Sequence, residues 1–191
     1  MFKGIIFDFD GTLTELTLDF DLLRAEIEAI ARRYVPDDVI LSLKNHYILE
    51  MINEIEDVLD GKNTRFKEEA YTRLRDLEVE ASKGKDVYPY TRDVLKRLKD
   101  RGISVGIITR SCMDVLKEVF PDIKNYADSI VTREDTRYVK PPPVHVVEVL
   151  RGLRLEPDDV MLVGDHPTDI IAGRVLNMRT AGVLTGRTTR D

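Results

Sequence analysis

The 191-residue chain contains no tryptophan, no glutamine, one cysteine and only five asparagines. The lone Cys112 cannot close an internal disulfide, so an apolar core must hold the fold. No apolar run is long enough to span a bilayer, and no secretory h-region opens the chain. A soluble protein in a reducing, cytoplasmic setting is therefore expected, with no membrane partner. Positive charge is also in deficit, with 29 Lys and Arg against 35 Asp and Glu and a net charge of −6. That is a poor basis for gripping a phosphate backbone, so nucleic acid is not an expected partner. There is neither a G-x-x-x-x-G-K-S/T loop nor a strand-linked G-x-G-x-x-G, which counts against a nucleotide-dependent kinase or a dinucleotide enzyme. Scarce amide side chains against 34% charged residues match the bias of chains that work hot, so a thermophilic source is expected. What is present is 42% hydrophobic residues, about 80 in all, enough for one sizeable core or a core with a small satellite domain.

The apolar run Gly4-Ile5-Ile6-Phe7 ends abruptly in Asp8-Phe9-Asp10-Gly11, as a strand buried on both faces would end. From Asp19 to Ser82 the period becomes helical, with apolar residues at Leu23, Ile27, Ile30 and Ala31, then Ile48, Ile52, Ile55 and Leu59, then Phe66, Ala70, Leu74, Leu77 and Ala81. Three amphipathic helices are expected, with a start at Pro36-Asp37-Asp38 and a stop and cap at Asp60-Gly61-Lys62-Asn63-Thr64. After Gly84 helices and short strands alternate, the strands at Ile103–Thr109, Ser129–Val131, Val160–Val163 and Thr180–Leu184. Five strands separated by helices argue for a parallel α/β sheet interrupted by an all-helical insertion. The expected division is a core of residues 1–15 and 85–191 around an insertion of residues 16–84.

Strand ends carry the chemistry. Asp8 and Asp10, two apart, fall on one side of the chain, where their repulsion calls for a cation, a shared proton or full exposure. Read alone, this segment is more simply a polar turn after a strand. A second acidic cluster follows Val160–Val163, in Gly164-Asp165-His166-Pro167-Thr168-Asp169, with Pro167 suited to a helix start and Asp165 and Asp169 one turn apart. Both clusters leave the carboxyl ends of parallel strands, where open α/β sheets bind ligands, and oxygen-only donors suit Mg²⁺. Thr109 closes another strand, and Lys140 precedes Pro141-Pro142-Pro143, a stiff turn able to aim one ammonium. Singly these read as a surface cap and a solvated lysine; beside carboxylates they could hold a phosphoryl group.

Asp8-Phe9-Asp10-Gly11-Thr12-Leu13, Thr109, Lys140-Pro141-Pro142-Pro143 and Gly164–Asp169 resemble, in order and spacing, the four motifs of the haloacid dehalogenase superfamily. The helical insertion resembles the cap of its phosphoglycolate phosphatase-like branch. The resemblance implies a Rossmann-like sheet of order 3-2-1-4-5 with an all-helical cap. It implies Asp8 as the nucleophile that forms an aspartyl phosphate and Asp10 as general acid and base. It also implies Thr109, Arg110 and Lys140 as phosphate holders, and a Mg²⁺ held by Asp8, Asp10 (through its backbone carbonyl), Asp165 and Asp169. Where many relatives have Asp-Ser after the first motif, this chain has Thr14-Glu15-Leu16. The activity implied is hydrolysis of a small phosphomonoester. A phosphosugar mutase would share every core motif, and a receiver-like signalling module would share the aspartates and lysine but has no need of Asp10. Monomer and homodimer are equally compatible with the sequence.

Other residues have ordinary readings. His166 and His46 are rim residues or substrate contacts, His145 helix surface, and Cys112 a small packed residue. Arg24, Arg32, Arg33 and Arg65 are solvent-facing helix charges or a carboxylate-recognition set.

Overall fold

The computed structural model describes residues 2–59 and 64–188. Within them the apolar runs form β1 (Gly4–Asp8), β2 (Ser104–Ile108), β3 (Ser129–Val131), β4 (Val160–Gly164) and β5 (Arg179–Gly182). All pair in parallel in the order β3-β2-β1-β4-β5, a Rossmann-like sheet. Ile6 of β1 lies beside Gly106 of β2 and Leu162 of β4, so the three central strands run level.

The chain divides into two compact units, one of Met1–Leu16 with Ser82–Asp191, the other of Thr17–Ala81. The first holds the sheet and α5 (Thr91–Asp100), α6 (Met113–Val119), α7 (Val144–Leu153) and α8 (Pro167–Val175). Its core joins Ile6, Ile108, Leu162 and Val160 to Val146, Val149 and Leu150 of α7. Each fully buried aliphatic contributes about 1.5–3 kcal/mol relative to exposure. Gly106 lets α7 lie close on the sheet, since a Cβ there would stand 2.5 Å from Val149 Cγ1.

Among the described residues the other unit holds four helices, rather than the expected three: α1 (Phe20–Ala31), α2 (Asp37–Ser42), α3 (Ile48–Val58) and α4 (Thr64–Ser82, its last residue in the first unit). Asp19 caps α1 by accepting from the amides of Asp21 and Leu22. Pro36 starts α2 as anticipated, but a turn at Leu43–His46, closed by the His46 amide on the Leu43 carbonyl at 2.9 Å, separates it from α3. The stop and cap expected at Asp60–Thr64 lies outside the described residues. No helix among the described residues is long and apolar enough to cross a membrane.

His145 is not on the helix surface; its exposure is 0%. Glu148 and Arg151 of α7 mark its outer face, and the helical period then places His145, one turn before Val149, on the inner one. Val144 and Val147 face out while His145, Val146, Val149 and Leu150 face in.

Candidate active site

Because β1, β2 and β4 end level, Asp8, Thr109 and Asp165 emerge together at one edge of the sheet. The turn after β1 is built around Phe9, fully buried, whose carbonyl accepts from the amides of Thr12, Leu13 and Thr14 at 3.3, 2.9 and 3.2 Å. That tight wrap needs a left-handed residue, and Gly11 supplies it at φ +88°. The Thr12 hydroxyl then lies 3.3 Å from Asp8 Oδ2 and 3.2 Å from Asp165 Oδ1, tying the two strand ends together.

Lys140 is 2% exposed, and its Nζ donates to Asp8 Oδ1 and Asp169 Oδ1, both at 2.5 Å. A lysine buried this deeply is stable only as part of such a cluster. Burial opposes its charge, but Asp8 and Asp169 outweigh it and raise its pKa, so the ammonium persists. For Asp8, burial is the largest influence and raises its carboxyl well above the ordinary aspartate value. Lys140 opposes this, while Asp169 and Asp10 add to it. The backbone of Lys140 is held as well, its carbonyl accepting from the Arg110 guanidinium. The bond from Lys140 to Pro141 is cis.

Asp8, Asp165 and Asp169 form a buried acidic group whose ligand atoms lie within 4.8 Å of one another. The Asp10 carboxylate lies beside this group and not in it. Its Oδ2 instead accepts from the hydroxyls of Thr109 and Ser111, both at 2.8 Å. Burial raises the Asp10 pKa against the opposing hydrogen bonds of Ser111 and Thr109. A carboxyl shifted upward and held by neutral donors is suited to gaining and losing a proton.

Three buried, oxygen-only donors fit a hard divalent cation such as Mg²⁺. Glycines make the cluster possible. A Cβ at Gly11 would stand 2.6 Å from Asp165 Oδ2, one at Gly164 would stand 2.3 Å from Asp169 Cγ, and one at Gly186 would stand 1.7 Å from Asp165 Oδ2. The segment carrying Gly186 is anchored by the Thr185 hydroxyl on the Gly11 carbonyl at 2.6 Å and the Val183 amide on the Gly164 carbonyl at 2.9 Å. Gly186→Ala is therefore expected to push Asp165 aside and cost about 10–100-fold in cation affinity or activity, as disturbing a ligand's support typically does. A Mg²⁺ titration read by thermal shift checks this, and an unchanged midpoint would free Asp165 from that constraint.

Sequence reasoning brings Asp8, Asp10, Thr109, Lys140, Asp165 and Asp169 to one place, as the structure does. It missed Ser111, for which the T-x-S spacing after β2 was the available signal. It also missed the way His166 is used: His166 Nδ1 accepts from the Thr168 amide at 3.3 Å while Asp169 Oδ2 accepts from the His166 amide at 3.1 Å, a reciprocal cap on α8. Burial lowers the His166 pKa, with Asp169 and Asp165 opposing. Cys112 is a buried residue at the start of α6. In the helical unit, Arg24 donates to the His46 carbonyl, Arg32 pairs with Glu28 and Asp37, and Arg33 and Arg65 both pair with Glu69. His46 itself is exposed.

Residues 5–183 match the family described as haloacid dehalogenase-like hydrolase. The chain belongs to that family. Among curated relatives of this haloacid dehalogenase-like hydrolase, the pyrophosphatase PpaX of Oceanobacillus iheyensis is 28% identical over 187 residues, 95% of this chain and 83% of that protein. The phosphoglycolate phosphatase of Aquifex aeolicus is 30% identical over 193 residues, covering 96% and 85%. A solved structure of β-phosphoglucomutase from Clostridium difficile superposes with a TM-score of 0.67 at 22% identity, covering 95% of this chain and 84% of that one, a likeness of fold. The haloacid dehalogenase-like hydrolase is thus a phosphatase-type enzyme.

Proposed function

We propose that the enzyme is a Mg²⁺-dependent phosphatase that hydrolyses a small phosphorylated metabolite through an aspartyl phosphate on Asp8. The observation that carries this reading is the unequal treatment of the two neighbouring aspartates. Asp8 lies against the Lys140 ammonium at 2.5 Å and within the acidic group, whereas Asp10 is held by two hydroxyls at 2.8 Å. The first environment steadies a nucleophile facing an anionic phosphoryl group; the second steadies a group that must gain and lose a proton.

Asp8 attacks phosphorus as the bond to the leaving oxygen breaks, and protonated Asp10 gives that oxygen its proton. Asp10, now a carboxylate, takes a proton from water as the water oxygen attacks phosphorus and the bond to Asp8 breaks. Phosphate leaves with both aspartates restored. Lys140 neutralises phosphoryl charge throughout, with Arg110, and the Thr109 hydroxyl once it turns from Asp10, as further holders of phosphate. Asp8, Asp165, Asp169 and the backbone carbonyl of Asp10 would hold Mg²⁺, which when bound supplies charge neutralisation to the transferring group.

The unit Thr17–Ala81 takes the part of a substrate-selecting cap in this reading. Phosphoglycolate and pyrophosphate lead as substrates because curated relatives carry those activities in their names. A cytoplasmic setting suits the single buried Cys112, and the amide-poor composition suits a thermophile. The test is turnover of p-nitrophenyl phosphate, phosphoglycolate and pyrophosphate with Mg²⁺ and in excess EDTA. Activity should require the cation. At a hundredfold excess over its Kd the cation should also raise the melting temperature by roughly 5–10 °C. Undiminished turnover in EDTA would refute the metal dependence, and absence of turnover on a wide panel of phosphate esters would refute the reading.

A further inference from the structure

His145 lies outside the four motifs, and its burial is complete. Both ring nitrogens are engaged. Its Nδ1 accepts from the backbone amide of Lys140 at 3.2 Å, and its Nε2 lies 3.2 Å from the carbonyl oxygen of Thr132. An amide can only donate and a carbonyl can only accept, so the two contacts together select one form of the ring, neutral with the proton on Nε2. Thr132 is itself 0% exposed and held from the far side, its amide and hydroxyl both donating to Asp135 Oδ2 at 2.7 and 2.9 Å. The imidazole thus ties the segment after β3 to the start of the Lys140 turn, while Arg110 holds the carbonyl end of the same residue.

We infer that His145 is the positioning residue for Lys140: as a neutral Nδ1 acceptor it fixes the backbone from which the ammonium reaches Asp8 and Asp169. This rests on the phosphatase reading given above. Three charged groups bear on the ring: Lys140, Arg110 and Asp135. Burial first, then Lys140, then Arg110 lower the pKa of His145 to about 3 against the opposing Thr132 hydrogen bond and Asp135. The same neutral tautomer is therefore present across the working pH range. A packing residue of similar volume would fill the space but leave the Lys140 amide without its acceptor. An error of about 1 Å in a catalytic group can cost about 10²-fold in rate.

The experiment compares His145→Asn, His145→Gln, His145→Leu, Lys140→Met and the buried control Val149→Ala on the same helix, by steady-state kinetics on p-nitrophenyl phosphate at saturating Mg²⁺. Asparagine can place a carbonyl oxygen near the Nδ1 position and keep an acceptor for the Lys140 amide. Glutamine reaches the Thr132 side instead. Positioning therefore predicts kcat for the Asn variant about tenfold above Gln and Leu, with KM changed little. It also predicts that Val149→Ala keeps its kcat despite a lowered melting temperature. Equal losses in Asn, Gln and Leu, or the same loss in Val149→Ala, would make His145 merely structural and overturn the inference, while a dead Lys140→Met variant leaves the phosphatase reading standing. Absence of turnover in the unmodified enzyme overturns both. If the Gln and Leu variants do not fold, long-range ¹H–¹⁵N spectra of the unmodified enzyme decide. A ring protonated on Nε2 and unchanged between about pH 5 and 9 supports the inference, and a ring protonated on Nδ1 overturns it.

Discussion

Asp8→Asn is expected to abolish turnover while leaving the protein folded. A carboxamide is a poor nucleophile and a weaker cation ligand, so the covalent route closes and not merely one stabilising contact. Deleting the nucleophile of a covalent enzyme costs on the order of 10⁶-fold in kcat. The substitution should not damage the fold. Burial already raises the pKa of Asp8, so its charged form is carried at a cost, and Lys140 keeps Asp169 at 2.5 Å. The metal-free melting temperature should therefore equal or exceed that of the unmodified protein. A circular dichroism melt beside an activity assay checks both halves, and retained turnover would remove Asp8 from the nucleophile's role.

Lys140→Met should fail in a different way, losing activity and stability together. Losing a preorganised positive group at the transferring phosphoryl costs about 10²–10³-fold in kcat. In addition, Asp8 and Asp169 are left buried without their shared ammonium, and breaking a buried pair costs about 3–5 kcal/mol. For a chain of this size that is a fall of roughly 6–20 °C in melting temperature. Because the orphaned carboxylates belong to the acidic group of three, Mg²⁺ should restore much of the melting temperature without restoring turnover. The pH dependence follows in sign. Without Lys140 the Asp8 pKa rises further above its unfolded value, so the folded variant binds the extra proton. Its metal-free stability deficit relative to the unmodified protein should then shrink as pH falls and grow as pH rises through the folded pKa. A deficit independent of both Mg²⁺ and pH would show that Lys140 is not the counter-ion of these carboxylates.

The sheet was readable because its signals are local. A strand buried on both faces is a continuous apolar run, and β1, β2 and β4 each stop where a polar or glycine residue begins. The carboxylates were readable for the same reason, since they stand immediately beyond those stops. What could not be read depends on the chain returning from a distance. Gly186 bears on Asp165 only because the segment after β5 folds back over Gly11. Ser111 is one more polar residue after a strand until Asp10 is seen to accept its hydroxyl. His145 is polar, which argues for the surface, yet it falls one turn before the buried Val149 and on the face opposite Glu148 and Arg151. The helical period was therefore the signal for its inward turn, and its partners Lys140 and Thr132 are what the sequence did not show. The break between α2 and α3 is of the same kind, with apolar spacing on both sides of a turn made by backbone hydrogen bonds.

The central claim is that Asp8 carries the phosphoryl group and Asp10 moves the protons, and rapid-quench analysis of Asp10→Asn with p-nitrophenyl phosphate and Mg²⁺ tests it most directly. The nitrophenolate leaving group needs little protonation, so phosphorylation should proceed. Hydrolysis loses its base, a contribution of about 10²–10⁴-fold. A burst of about one nitrophenolate per active site is expected, with a mass gain of one phosphoryl group on the peptide containing Asp8. A phosphoryl group on any other residue, or no burst with Asp8→Asn and Asp10→Asn equally impaired on every leaving group, would contradict the assignment.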